Sequence, residues 1–190
     1  GGALPVTVKH RIGLDRIESY DFVRDFVGTV AEAGCAVFAV HARNAWLEGL
    51  SPKENREVPP LRYEFAHRLK AEFPGLTIVV NGGIASAAQI ADQLGPVDGV
   101  MVGRAVYHNP WLMAEWDELL FGLPAREQAL TRQAVEAEMV AYTEREMART
   151  AGWAHGEVRW PQVIRHILGL YHGLPGARRW RQVWSDHKLK

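Results

Sequence analysis

Residues 77–110, TIVVNGGIASAAQIADQLGPVDGVMVGRAVYHNP, hold one device twice: a short β-branched strand that stops in glycine and hands over to a helix. The first strand, 78–80, runs into Asn81-Gly82-Gly83, after which Ser86 with Gln89 reads as a capping box. The second, 100–102, runs into Gly103-Arg104, and Asn109-Pro110 reads as the N-cap and first-turn proline of another helix. Glycines at such turns let the backbone bend sharply and bring amide groups close to a ligand. Helix N-termini add unpaired donors and positive partial charge, which attract oxyanions. The pair therefore predicts a phosphate cup.

Working outward, residues 4–9 read as a strand ending in Lys9, and Ser19 caps a helix with apolar positions Phe22, Val23, Phe26, Val27 and Val30 that Gly34 ends. Residues 36–41 form a nearly unbroken apolar run, as expected of a parallel strand covered on both faces. The segment 43–60 is long, polar and without period, a pattern that usually marks a functional loop. A helix follows over 61–73. The result is βαβαβαβα, an α/β arrangement. A closed (β/α)8 barrel needs eight such units, and its phosphate commonly sits on the loops after the last two strands. The chain opens almost directly on a strand without a start methionine, so we read 1–123 as the second half, four βα units, of a TIM barrel. Residues 125–150, 160–172 and a segment opened by Pro175 read as helices with no strand between them, predicting a small all-helical domain over 124–190.

Composition, 47% hydrophobic and 23% charged, is that of a globular protein with ample core material. No apolar run approaches a membrane span, no cleavable leader is seen, and a single Cys excludes an internal disulfide, so a cytoplasmic protein with no membrane partner is expected. The net charge of zero hides an asymmetry. Residues 1–122 carry 11 Lys/Arg against 15 Asp/Glu, while 123–190 carry 11 against 7. From Arg159 onward, Arg159, Arg165, Arg178, Arg179, Arg181, Lys188 and Lys190 face Asp186 alone, which fits either a polyanionic partner or a solvated charged tail.

Lys9, His41, Asn81 and Arg104 each fall at or just past the C-terminal end of an expected strand, the end that carries the active site in α/β barrels. Such a set suits a phosphate-bearing cofactor with an electron-rich ring. The plainer alternative has Lys9 and Arg104 capping carbonyls or pairing with carboxylates inside the barrel.

VKHRIG (8–13), HARNAWLEGLSPKENREVPPL (41–61), VNGGI (80–84), DGVMVGRAVYHNP (98–110) and RHILGLYHGLPGARRWR (165–181) closely resemble the tRNA-dihydrouridine synthases, most nearly the bacterial A-type. The resemblance covers essentially the whole chain, and the 41–61 loop is its most specific part. It implies an FMN-containing (β/α)8 barrel followed by a helical domain, using NADPH to reduce uridine to 5,6-dihydrouridine in the D-loop of tRNA, at positions 20/20a. It assigns Lys9 and His41 to the flavin ring and ribityl region, and Asn81, Gly82, Gly83, Gly103 and Arg104 to the FMN phosphate. Lys53 and Arg56 match positions used on tRNA, and Arg178 and Arg181, on a helix face opposite Trp180, Val183 and Trp184, are expected to do the same. In the family, reduced FMN delivers hydride to C6 of a uracil drawn out of its stack, and a cysteine acid protonates C5.

That cysteine belongs to an Asn-x-x-Cys-Pro type motif, which this chain lacks. Cys35 lies among small residues and reads as a buried structural thiol. The chain is therefore expected to be the C-terminal part of such an enzyme, inactive alone. Its eight His show no HExxH or Cys-paired spacing, so no metal site is expected; GxSxG, GxGxxG and P-loop patterns are also absent. Six Trp in the C-terminal half read as helical-domain core, whereas Trp46 lies in the long loop. Two other readings stand beside this one. One is a different FMN- or phosphate-binding barrel oxidoreductase acting on a small molecule; the other is a non-catalytic tRNA-binding half-barrel. The oligomeric state is not legible.

Overall fold

The structure, a computed structural model, describes residues 4–154 and 156–186. Four strands, β1 (Val8–Arg11), β2 (Val37–His41), β3 (Thr77–Asn81) and β4 (Gly99–Met101), pair in parallel in the order β1-β2-β3-β4. Helix α1 (Tyr20–Glu32) joins β1 to β2, α2 (Tyr63–Glu72) joins β2 to β3, and α3 (Ala87–Leu94) joins β3 to β4. The register aligns Lys9, Ala39, Val79 and Gly99 in one row and Arg11, His41, Asn81 and Met101 in the next pleat of the same face. The alternate positions Phe38, Val40, Ile78 and Val80 are fully buried on the other face, where α1, α2 and α3 contribute Val23, Val27, Phe65, Leu69 and Ile90. Each such side chain stabilises the fold by about 1.5–3 kcal/mol. One face is thus apolar and covered, and the other carries the polar residues.

The helices begin and end where local chemistry dictates. Ser19 Oγ accepts from Phe22 N and Ser86 Oγ from Gln89 N, while the Gln89 side chain accepts from Ala85 N. Gly34, at φ +101°, closes α1 in a conformation costly for any residue with a Cβ. At β1 the expectation needs correcting. Leu4 and Val6 are 81% and 71% exposed and belong to no strand; β1 starts at Val8 and runs through Arg11. Its polar letters escaped attention because one face of this strand is not packed by helices.

Beyond Met101 the described residues hold helices α4 (Arg104–His108), α5 (Trp116–Phe121), α6 (Arg132–Thr150), α7 (Trp160–Ile164) and α8 (Ala177–Trp184), with no strand among them. Residues 125–131 are not helical as expected, because Thr131 caps α6 through Ala134 N. Asn109 makes no side-chain cap bond, although Pro110 does open a 3₁₀ turn. The chain divides into two compact units between Val102 and Gly103. Inside the second unit the backbone of Gly169 lies so close to His108 that a Cβ there would sit 2.1 Å from the His108 carbonyl oxygen. That contact ties α4 to the later helices.

Candidate functional site

The C-terminal edge of the sheet gathers cations. Arg11 ends β1 beside His41, and His41 ends β2 beside Asn81, the last residue of β3. Lys9 stands one pleat back on the same face rather than at the tip; Arg11 holds the place expected of it. Burial and then repulsion from Arg11 hold the Lys9 ammonium below the usual lysine range. Burial, followed by repulsion from Arg43 and Arg56, likewise lowers Arg11, which remains charged. Arg11 thus stands among like charges, Lys9 on one side and Arg43 and Arg56 on the other. His41 is buried. Asn81 Nδ2 donates to Met101 O at 2.7 Å, bracing β3 against β4 and leaving the amide oxygen for other contacts.

The long loop after β2 is built rather than slack. Arg11 Nη1 donates to Asn44 O at 2.6 Å and Asn55 O at 2.9 Å, pinning both ends of the loop to the strand tip. Asn55 in turn accepts from Trp46 N and donates to Trp46 O. Ser51 and Glu54 cap a 3₁₀ turn at Glu54–Arg56 reciprocally, and those bonds hold the Glu54 carboxyl below the usual range. Arg43 donates to Pro59 O. Lys53 and Arg56 are exposed on this turn. Arg11, Arg43 and Asn55 were missed as site residues; the signal available was their place in VKHRIG, HAR and KENRE, polar letters packed around a strand end.

Gly82 and Gly83 adopt φ +121° and +70°. A Cβ on Gly82 would lie 2.8 Å from the His41 ring, and one on Gly83 2.6 Å from Leu61. Gly82 O accepts from Tyr63 OH at 2.6 Å. Glycine here seats the turn on His41, which orients the imidazole. In the second unit, Gly103 is the N-cap of α4 and meets nothing within 4 Å of a built Cβ; Arg104 is exposed. Arg178 and Arg181 are exposed on α8, whereas Trp180 and Trp184 turn inward and donate to Glu136 Oε1 at 3.2 and 3.1 Å. Val183, expected to be buried with them, is 48% exposed. Trp153 is exposed and the other tryptophans are half-buried, so they line the helical core rather than fill it. Lys188 and Lys190 lie outside the described residues. Cys35 is half-buried, not buried, and points to the carbonyls of Val6 and Val37 at the opposite end of β2 from His41. Among the described residues no group of His, Cys, Asp or Glu could hold a metal ion, and no helix is long and apolar enough to cross a membrane.

Comparison with known families decides the assignment: the sequence model described as Dihydrouridine synthase matches residues 2–190. The chain belongs to the dihydrouridine synthase family. Among dihydrouridine synthases, it is 48% identical over 189 residues to a Yersinia pestis protein named tRNA-dihydrouridine(20/20a) synthase, covering 99% of this chain and 52% of that one. It is 52% identical over 182 residues to the like-named protein of Pseudomonas aeruginosa, covering 96% and 52%. For that of Vibrio cholerae serotype O1 the values are 48% over 188 residues, 98% and 55%. The chain thus spans about half the length of the curated relatives it matches.

Proposed function

We propose that this chain is the cofactor-phosphate and RNA-holding part of a cytoplasmic tRNA-dihydrouridine synthase, an FMN- and NADPH-dependent oxidoreductase that forms 5,6-dihydrouridine at positions 20/20a of the D-loop. In this reading 1–123 is half of a TIM barrel and 124–190 a helical tRNA-binding domain. The observation that supports it is the shared polar face of the sheet, where Arg11, His41 and Asn81 end adjacent strands in register with Lys9 one pleat back, beside the Gly82-Gly83 turn. These residues fit FMN: the cations of this edge suit an anionic phosphate, and the Gly82-Gly83 turn, at positive φ, lets backbone come close to a ligand.

When bound, FMN supplies the electron transfer that reduces the uracil 5,6 bond. Lys9 and His41 hold the ring and ribityl chain, and the glycine turn beneath His41 keeps its imidazole from rotating. Asn81, Gly82, Gly83, Gly103 and Arg104 bind the phosphate. Lys53 and Arg56 on the loop, with Arg178 and Arg181 on α8, hold RNA phosphates and position the strand without reading its bases. Cys35 is no proton donor for C5, since it sits at the far end of β2. The acid must come from outside these residues, so this chain alone turns over no substrate.

Purified protein tests the reading by flavin fluorescence quenching and by tRNA filter binding. FMN and tRNA should both bind, tRNA with steep salt dependence. Absence of both overturns it, and FMN without tRNA favours an oxidoreductase acting on a small molecule.

A further inference from the structure

Beside the strand tips lies a groove of about 1030 Å³ that the cofactor reading does not use. Its walls are the loop after β1, with Leu14, Asp15, Ile17 and Glu18, and the loop after β2, with Trp46 and Glu48. The groove is preformed. Trp46 is clamped by Asn55 through both its backbone N–H and its carbonyl. Asp15 is held at φ +48°, rare for a residue with a side chain, by its own N–H on Ala45 O and by Leu47 N–H on its carboxylate. Leu14 and Ile17 stay exposed at 43% and 48%. An indole with two aliphatic neighbours offers a stacking surface. Of the three carboxylates on its rim, Asp15 accepts from Leu47 N and Glu18 pairs with Arg62 at 2.9 Å, so exposed Glu48 is the one that asks a ligand for an N–H donor. Asn55 also adjoins Arg56 and stands two residues from Lys53, so one loop presents an aromatic, acidic pocket and, next to it, a cationic turn. That is the layout of a base beside its phosphate.

Resting on the function proposed above, we propose that this groove receives an unstacked nucleobase of the tRNA, a neighbour of the target uridine, stacked on Trp46 with an exocyclic amino group on the carboxylate rim. Cytosine, adenine and guanine carry such an amine; uracil, with two carbonyls and one N–H, does not. Single-stranded RNA is read this way, by stacking and by hydrogen bonds to base edges.

The test is filter binding of a tRNA transcript, and of a variant with uracil at both positions flanking the target, across a salt series. Trp46→Ala should weaken transcript binding about 5- to 100-fold with the salt slope unchanged, since stacking releases no counterions. Trp46→Phe should stay within about threefold, and Glu48→Ala, at an exposed position, should remove the preference for amino-bearing flanks. Transcript affinity within about twofold in Trp46→Ala, or a loss that lowers the slope, overturns the proposal, because the second marks collapse of the cationic turn. Should Trp46→Ala fail to fold, Glu48→Ala decides: an unchanged flank preference overturns it. Should the wild-type protein bind no tRNA, the functional reading falls first, and nucleoside titration judges the groove. A fluorescence change with cytidine but not uridine, lost in Trp46→Phe, supports a base site; no change rejects it.

Discussion

His10 is the residue most exposed to pH. Its ring lies on the helix-covered face, 5.1 Å from Phe26 and 6.1 Å from Phe38, and Nδ1 meets Arg11 O at 2.9 Å while Nε2 is buried without a partner. Burial is the main cause that holds it below its ordinary 6.5; the Arg11 carbonyl opposes and the Lys9 charge adds to it. The native state therefore favours neutral His10, and the unfolded chain takes up the proton first as pH falls. Stability from this residue is complete above pH 6.5 and is lost as pH drops through the native value. Urea melts from pH 7.5 to 5 should show that loss, and His10→Phe should flatten it; parallel profiles would reject the assignment. Gly82→Ala should cost about 1–3 kcal/mol, from positive φ and the clash with the His41 ring. A thermal melt compared with Gly75→Ala, at an open position, checks it. At this scale the sequence was half legible. His41 and Asn81 were found at strand ends because glycine and polar letters follow apolar runs. Arg11 was missed because apolar content placed β1 too early, and only the pairing with β2 reveals which cation stands at the tip.

Among the elements, α8 shows how a short basic helix is held. It is eight residues long, starts at Gly176 with no side-chain cap, and points Arg178 and Arg181 outward. Glu136 of α6 anchors its inner side, accepting from Trp180 and Trp184 and from Tyr171 OH at 3.0 Å. Glu136→Ala strands three donors in partly buried surroundings and should cost about 2–4 kcal/mol, with Glu136→Gln losing less because an amide oxygen still accepts. Chemical denaturation of the three proteins decides this; equal stability would show that the indoles are held otherwise. The cationic turn makes the complementary case. Lys53→Ala with Arg56→Ala should weaken tRNA binding and lower the salt slope by about 2 while FMN affinity holds; equal loss of both ligands would contradict the division of labour. Caps at Ser19, Ser86 and Gly34 were legible because each is a local bond. The exposure of Val183 was not, since it depends on which helix packs alongside, and at α6 the local cap of Thr131 was passed over in favour of an earlier start.

Across the whole molecule, alternating strands and helices predicted the parallel sheet, and its order follows the chain. The break between compact units was not legible, because Gly169 meets His108 across some sixty residues of sequence. The central claim is that the polar edge of the sheet, with Arg11, His41 and Asn81 at the strand ends beside the Gly82-Gly83 turn, belongs to a site for a flavin and its phosphate. Calorimetric titration with FMN and with riboflavin, which differ by that phosphate, tests it most directly. The account predicts that FMN binds at least about tenfold tighter, a difference of 1.4 kcal/mol, and that Arg104→Ala narrows the gap. Equal affinity for the two, or an Arg104→Ala protein with the full preference, would contradict it.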